Sequence, residues 1–392
     1  MITINNKFLI KPSLIILLIA ILSGCNSIDR RPAFPVKQKL DPVVNSFQVK
    51  KVFSKKIAYL KKDDLINSAI LLNANQNQNQ FFTGDLSGDV VAVNAKGDVL
   101  WKKNVSKAIT AGPTFLSNKL FVTTVEAKIF CLDAKNGKII WQSKLSSDAL
   151  AAPAATNDAV FVHTLDGGLS ALNLEDGRQL WRVSTALPNI TLRRGSTPVI
   201  TGNHVIVGFA NGKLFAVNKE TGTVNWAYNI SNPQGRSDLQ RITDISAEPI
   251  IVNGIVYAVS YQGNLVAIRL RDGEILWEKE SSSYTGITID QNAVYISKVD
   301  GSVVAMDRKT GNIFWTQDEL RGRHLTKPVI YNSYVVVGDE DGNLHFLDKI
   351  YGVAKGRELV DTSGISVKPL IINNNQLYIL SNNGYLHAVE IS

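Results

Sequence analysis

All six tryptophans of the chain, Trp101, Trp141, Trp181, Trp226, Trp277 and Trp315, fall in one slot of a single repeated phrase. The copy that ends at Trp181 reads Asp166-Gly167-Gly168-Leu169-Ser170-Ala171-Leu172-Asn173, then Leu174-Glu175-Asp176-Gly177, then Arg178-Gln179-Leu180-Trp181. Apolar and polar residues alternate before Asn173, as a strand requires. Asp176-Gly177 supplies the positive φ of a tight turn, and the run into Trp181 is the returning strand. The phrase is therefore a β-hairpin.

Aligned on Ala171, Asn173, Gly177 and Trp181, the other copies are Ala92, Asn94, Gly97, Trp101; Cys131, Asp133, Gly137, Trp141; Ala216, Asn218, Gly222, Trp226; Ala267, Arg269, Gly273, Trp277; and Ala305, Asp307, Gly311, Trp315. Two degraded copies follow, one with Phe346, Asp348, Gly352 and Gly356 in place of Trp, the other with Ala388 and Glu390 close to the end at Ser392. Two further strand-like runs separate successive phrases, such as Ala151–Thr156 and Ala159–His163, so each unit reads as four short strands. Four strands recurring every roughly 40 to 45 residues mark a β-propeller, here an all-β, eight-bladed ring.

The last copy stops after its third strand, and a missing fourth would leave an open edge at the seam. Phe47–Phe53 has β character and precedes the first complete blade. It is expected to close the ring by pairing with Leu386–Glu390. A composition of 45% apolar and 19% charged residues with 28 glycines suits one large all-β domain, assigned to residues 47–392. The Asn-rich and Gln-rich stretch Asn73–Gln80 is expected to be a solvated loop between the first two strands of blade one.

Lys7 and Lys11 precede the apolar run Leu14–Leu22, too short for a comfortable membrane span and therefore read, over residues 1–24, as a signal peptide. Its ending, Leu22-Ser23-Gly24-Cys25, resembles the lipobox of bacterial lipoproteins. That resemblance implies cleavage before Cys25 and acylation of Cys25, palmitate being a typical chain. Asn26, rather than Asp, fits export to the outer membrane. Residues 25–46 carry Pro32, Pro35 and Pro42 among polar residues with no structural period, and read as the lipidated cysteine and a flexible tether. Cys131, in the small-residue slot, is expected to be buried without a partner.

The formal charge of +8 drops to +6 without Lys7 and Lys11. In an exported protein this balance points to anionic lipid or acidic protein surfaces. No strand face interleaves basic and aromatic residues as single-strand nucleic-acid platforms do, so no nucleic-acid partner is expected. Catalytic motifs are missing too: there is no Gly-x-Ser-x-Gly elbow, His-Glu-x-x-His, paired-cysteine metal site or phosphate loop. His163, His204, His345 and His387 lie in strand patterns and read as structural. Asp300-Gly301 and Asp341-Gly342 read as hairpin turns before they read as calcium ligands. Neither a catalytic residue nor a cofactor or metal is assigned.

Function should lie where the repeat is broken. Successive slot tryptophans are 40, 40, 45, 51 and 38 residues apart, so two adjacent units carry insertions. Both fall between the last strand of one blade and the first of the next, and such connections share one face of a propeller. The first is Leu187-Pro188-Asn189-Ile190-Thr191-Leu192-Arg193-Arg194-Gly195; the second runs from Asn229 through Arg236, Asp238, Arg241 and Asp244 to Ser246. Lengthened loops on a rigid ring are where binding usually resides. Ile190 and Leu192 either await a partner, beside arginine, a favoured interface anchor, or turn inward and plug the ring. A third connection, Gln317–Thr326, brings Arg321, Arg323 and His324 to the same face, as an anionic-partner strip or as a solvated surface.

The phrase Ala-x-Asn/Asp-x-x-x-Gly-x-x-x-Trp resembles the tryptophan-docking repeat of pyrroloquinoline-quinone propellers, which identifies a fold and not an activity. Within that superfamily, the lipobox, the single whole-length ring and the two inserted loops resemble the BamB family, lipoproteins of the outer-membrane β-barrel assembly machine. The resemblance spans Cys25 to Ser392. It is most specific in Ile190-Thr191-Leu192-Arg193, in Arg241-Ile242-Thr243-Asp244-Ile245 and in Pro249–Asn264. It implies a non-enzymatic scaffold, lipid-anchored at the periplasmic face of the outer membrane, that docks on the POTRA domains of BamA to assist insertion of outer-membrane proteins. Ile190 and Leu192 then take the role of apolar anchors, Arg193 of cationic anchor and Asp244 of acidic partner, with Arg194, Arg236 and Arg241 as further contacts. Ser246 departs from the family, which often has a second acid there. Unfolded outer-membrane protein clients could in addition add to exposed strand edges. The alternative is a quinoprotein dehydrogenase using pyrroloquinoline quinone with calcium, although the adjacent cysteine pair usual in those enzymes is missing.

Overall fold

A computed structural model describes residues 35–60, 73–75, 80–231, 237–366, 369–372 and 376–391. The segment read as a signal peptide, Cys25 and Arg236 lie outside the described residues. Of a first unit, Met1–Val36, only Pro35 and Val36 are described, without regular structure. Lys37–Ser392 forms a second unit, and its described residues build eight antiparallel four-stranded sheets arranged as an eight-bladed propeller. Strands A to D run in chain order across seven of the blades, and in the eighth the N-terminal strand supplies D. Antiparallel order then fixes two faces. Blade-to-blade connections and B–C turns emerge on one, the connection face; A–B and C–D turns emerge on the other, the hairpin face.

The seam closes as the truncated eighth copy requires. Val49–Lys56 pairs with Tyr385–Ile391, from Val49 opposite Ile391 to Lys56 opposite Tyr385. The closing strand therefore starts two residues later than Phe47 and runs on to Lys56. In blade one, Asn73–Asn75 is strand A itself, paired with Gln80–Gly84, which corrects the expectation of a loop over that whole stretch.

The repeat works between blades rather than within them. Each slot indole donates to a carbonyl in the C–D turn of the following blade: Trp101 to Ala134 (2.9 Å), Trp141 to Leu174 (2.9 Å), Trp181 to Lys219 (3.0 Å), Trp226 to Leu270 (2.8 Å), Trp277 to Arg308 (3.0 Å) and Trp315 to Lys349 (3.1 Å). The ring lies against the turn glycine of that blade. A Cβ on Gly137 would sit 2.7 Å from the Trp101 ring, and φ there is +70°, so bare backbone is needed on both counts. A β-bulge precedes every tryptophan slot, leaving Leu100, Ile140, Leu180, Asn225, Leu276 and Phe314 unpaired and exposed.

Apolar side chains gather in eight clusters, one per blade junction. B and C strands bury both faces, so Val90-Val91-Ala92-Val93 is a continuous apolar run with at most 1% exposure. Cys131 fills its small-residue slot, fully buried, and burial pushes its thiol up to about 12.

The degraded copies are compensated at a distance. In blade eight Phe53 pairs with Ala388 and lies against Gly97 of blade one, where a Cβ would be 2.7 Å from its ring. Phe53 thus occupies the tryptophan slot. In blade seven the usual small–large pair is reversed, Phe346 standing opposite Gly356. The Phe47 ring packs onto Gly356, leaving no space for a Cβ, and meets Phe346 edge-on at 4.8 Å.

Candidate functional site

The first insertion leaves blade three after Gln179–Ser184 and enters blade four at Val199–Thr201. The second leaves Val224–Asn229, makes one 3-10 turn at Leu239–Arg241, and enters blade five at Ile250–Val252. Its stretch Ile242–Ala247 is buried and works as a wedge. Ile245 presses so closely on Gly208 that a Cβ at 208 would overlap it. Main-chain bonds fix the wedge further, Ile245 N–H to Phe209 O (3.1 Å) and Tyr261 N–H to Asp244 O (2.8 Å).

Asp244 ties the two loops together. Its Oδ2 accepts the Leu192 N–H at 2.7 Å, while Oδ1 has no hydrogen-bond partner among the described residues. The side chain is 0% exposed. Burial pushes its carboxyl up to about 7, opposed by the Leu192 bond. A second tie is Ser196 Oγ–H to Ala247 O at 2.9 Å. Ser196 O also lies 3.1 Å from His163 Nδ1, and a carbonyl only accepts, so that nitrogen carries the hydrogen. Burial depresses the His163 imidazole to about 4. His163 thus braces the first insertion as a neutral ring. Ser246, buried, donates to Tyr284 O at 3.4 Å.

These braces decide which side chains remain at the surface. Arg193 takes φ +50°, its N–H donating to Thr191 Oγ1 at 3.2 Å, and is exposed. A non-glycine residue in the left-handed region carries a conformational cost. Ile190 is 40% exposed beside it, and Leu192 is half-buried. Arg194 turns back instead, its guanidinium 4.7 Å from the centre of the Tyr284 ring, and burial lowers its pKa. In the second loop Arg241 is exposed and paired with Asp238 at 2.5 Å. Leu239, 66% exposed, was not singled out in the sequence; a lone leucine in a polar insertion was the signal available.

The third connection has spent its cations internally. Arg321 pairs with Asp318 at 2.9 Å and lies 3.8 Å from Asp300. Arg323 is buried, donating from Nη2 to Gln38 O at 2.8 Å, with Nε 3.6 Å from Asp339. His324 meets the Tyr284 hydroxyl at 2.9 Å. Among strand histidines, His345 lies 2.8 Å from Asp339 and His387 3.2 Å from Asp361. Gly301 and Gly342 hold positive-φ turn positions. No three His, Cys, Asp or Glu side chains converge among the described residues as metal ligands would.

Six docked indoles in an eight-bladed ring, with two loops braced into one exposed ledge, define a propeller of the pyrroloquinoline-quinone type adapted to carry a surface. The family model described as outer membrane protein assembly factor BamB matches residues 86–317. An assembly factor BamB of Pseudomonas aeruginosa is 40% identical over 94% of this chain and 95% of its own length. The crystal structure of BamB from Moraxella catarrhalis superposes with a TM-score of 0.78 at 27% identity, over 88% of this chain and 100% of that one. The chain belongs to the BamB family of outer membrane protein assembly factors. A europium-containing methanol dehydrogenase, 13% identical with a TM-score of 0.68 over 84% of each chain, shares the fold alone.

Proposed function

We propose that this chain is a scaffold of the outer-membrane β-barrel assembly machine, held at the periplasmic face of the outer membrane by acyl chains on Cys25 and docking on the POTRA domains of BamA. The observation that carries the docking site is the contrast inside the first insertion. Ile190 and Arg193 point to solvent from a backbone turn that is fixed from below by Asp244, Ser196 and His163. A ledge fixed before binding loses little conformational freedom when a partner arrives. Ile190, Leu192 and Arg193 contact the partner in this reading, Leu239 and Arg241 extend the surface, and Asp244 positions the Leu192 backbone from within. Arg194 supports the ledge through Tyr284. Nothing in this role requires a reaction at the site.

The experiment is capture of BamA from detergent-solubilised envelope by the native lipoprotein. Changing both Ile190 and Leu192 to Asp is expected to abolish capture while intrinsic tryptophan fluorescence stays native. Undiminished capture by that folded variant would remove the site.

A further inference from the structure

We infer that residues 37–47 form a strap on the outer edge of blade seven, which supplies that blade's missing slot aromatic and makes the chain leave the ring at the connection face rather than at the seam. Four groups of contacts carry this. Phe47 packs on Gly356 and Phe346, in the place a tryptophan fills in six other blades. Strand D of blade seven, Ala354–Leu359, is then followed toward the connection face: Ser46 N–H donates to Lys355 O at 2.9 Å, Arg357 N–H to Asn45 Oδ1 at 2.8 Å, and Arg357 Nη1 to Asp41 O at 2.9 Å. Leu40 packs on the core between blades six and seven. At the far end Gln38 N–H donates to Arg321 O (3.3 Å), Gln38 O accepts from buried Arg323, and Lys37 pairs with Glu340 at 2.9 Å and Asp341 at 2.5 Å.

Arg323 and Arg357 share a task here. Both guanidiniums donate to strap carbonyls, which gives the buried arginine of this connection a partner main chain. The strap also changes the reach of the tether. From Ser46 a lipidated Cys25 would be up to about 70 Å away at ~3.5 Å per residue, but from Lys37 at most about 40 Å. It also places that departure point on the face that bears the ledge. This last consequence rests on the lipidation proposed above; the strap itself does not.

Hydrogen exchange on the purified full-length protein tests the strap. The Ser46 and Arg357 amides should exchange at least a hundredfold more slowly than an unprotected chain. Phe47→Ala should speed both at least tenfold and leave amides of blades three to five, and capture of BamA, unchanged. Gly356→Ala should have the same effect, because its Cβ evicts Phe47, and the two changes together should exceed neither alone. Unprotected Ser46 and Arg357 amides in the unaltered protein would overturn the strap, whatever the variants do. Loss of capture with intact strap protection would instead count against the docking reading.

Discussion

Two arginine-bearing connections rise from the same face of the ring, and their cations have opposite fates. In Gln317–Thr326, Arg321 is neutralised by Asp318 and Arg323 is buried on the Gln38 carbonyl and Asp339. In the first insertion, the main chain is bound by Asp244 of the second loop and by the Thr191 hydroxyl, leaving Arg193 and Ile190 outside. An arginine becomes available to a partner when the loop is held by something else. The backbone of the first insertion is held by Asp244 and Ser196; the third connection uses its own side chains to hold the strap.

The contrast breaks most severely if both aliphatics of the ledge are dispensable. Each contributes about 1.5–3 kcal/mol on burial, so changing Ile190 and Leu192 together to Asp should weaken capture of BamA by a hundredfold or more, read by titration, with thermal stability unaltered. Arg323→Ala should do the reverse. Removing one member of a buried charged set typically costs about 3–5 kcal/mol of stability, read by denaturant unfolding, while the folded fraction still captures BamA.

Acid should loosen the ledge from beneath. The folded state keeps His163 neutral down to about pH 4, whereas the unfolded chain protonates it near its ordinary value of 6.5. Stability present above that value is therefore lost as pH falls from 6.5 to 4, by about 3 kcal/mol at ~1.4 kcal/mol per unit. His163→Gln should flatten that slope in pH-dependent unfolding. Asp244 runs the other way. Its folded carboxyl titrates near 7, above the unfolded value, so its contribution is present in acid and lost as pH rises through 7.

Asp244 also separates positioning from contact. Asp244→Asn keeps an acceptor for the Leu192 N–H and should retain capture within about threefold at pH 8; Asp244→Ala loses the bond, worth roughly 1–3 kcal/mol with the orphaned amide, and should weaken capture accordingly. Equal loss in both variants would make the charge itself a contact. The smallest effect belongs to Arg321→Ala, whose exposed pairs are expected to contribute less than about 1 kcal/mol.

The ring was legible because its information is local and repeated. Trp slot, turn glycine and strand alternation lie within about fifteen residues of one another, and each copy confirms the next. The truncated eighth copy also demanded a closing strand from the other terminus. Blade seven was not legible, since Gly356 and Phe346 look like decay until Phe47, three hundred residues away, is placed on them. The inserted loops could be found by counting intervals, but not the roles within them. Asp244 reads as a surface acid beside arginines, and only the wedge Ile242–Ala247 buries it. Arg323 looks like Arg321 until Asp339 and Gln38 converge on it, and polar composition concealed the exposed Leu239.

The most direct test is photocrosslinking in the native envelope, with the probe at Leu192, at the partly exposed Arg321 on the same face, and at Glu175 in a C–D turn on the hairpin face. A strong adduct to BamA from Leu192, with none from Arg321 or Glu175 in correctly localised protein, is the predicted result. Equal yields from all three positions, or none from Leu192, would contradict the docking ledge.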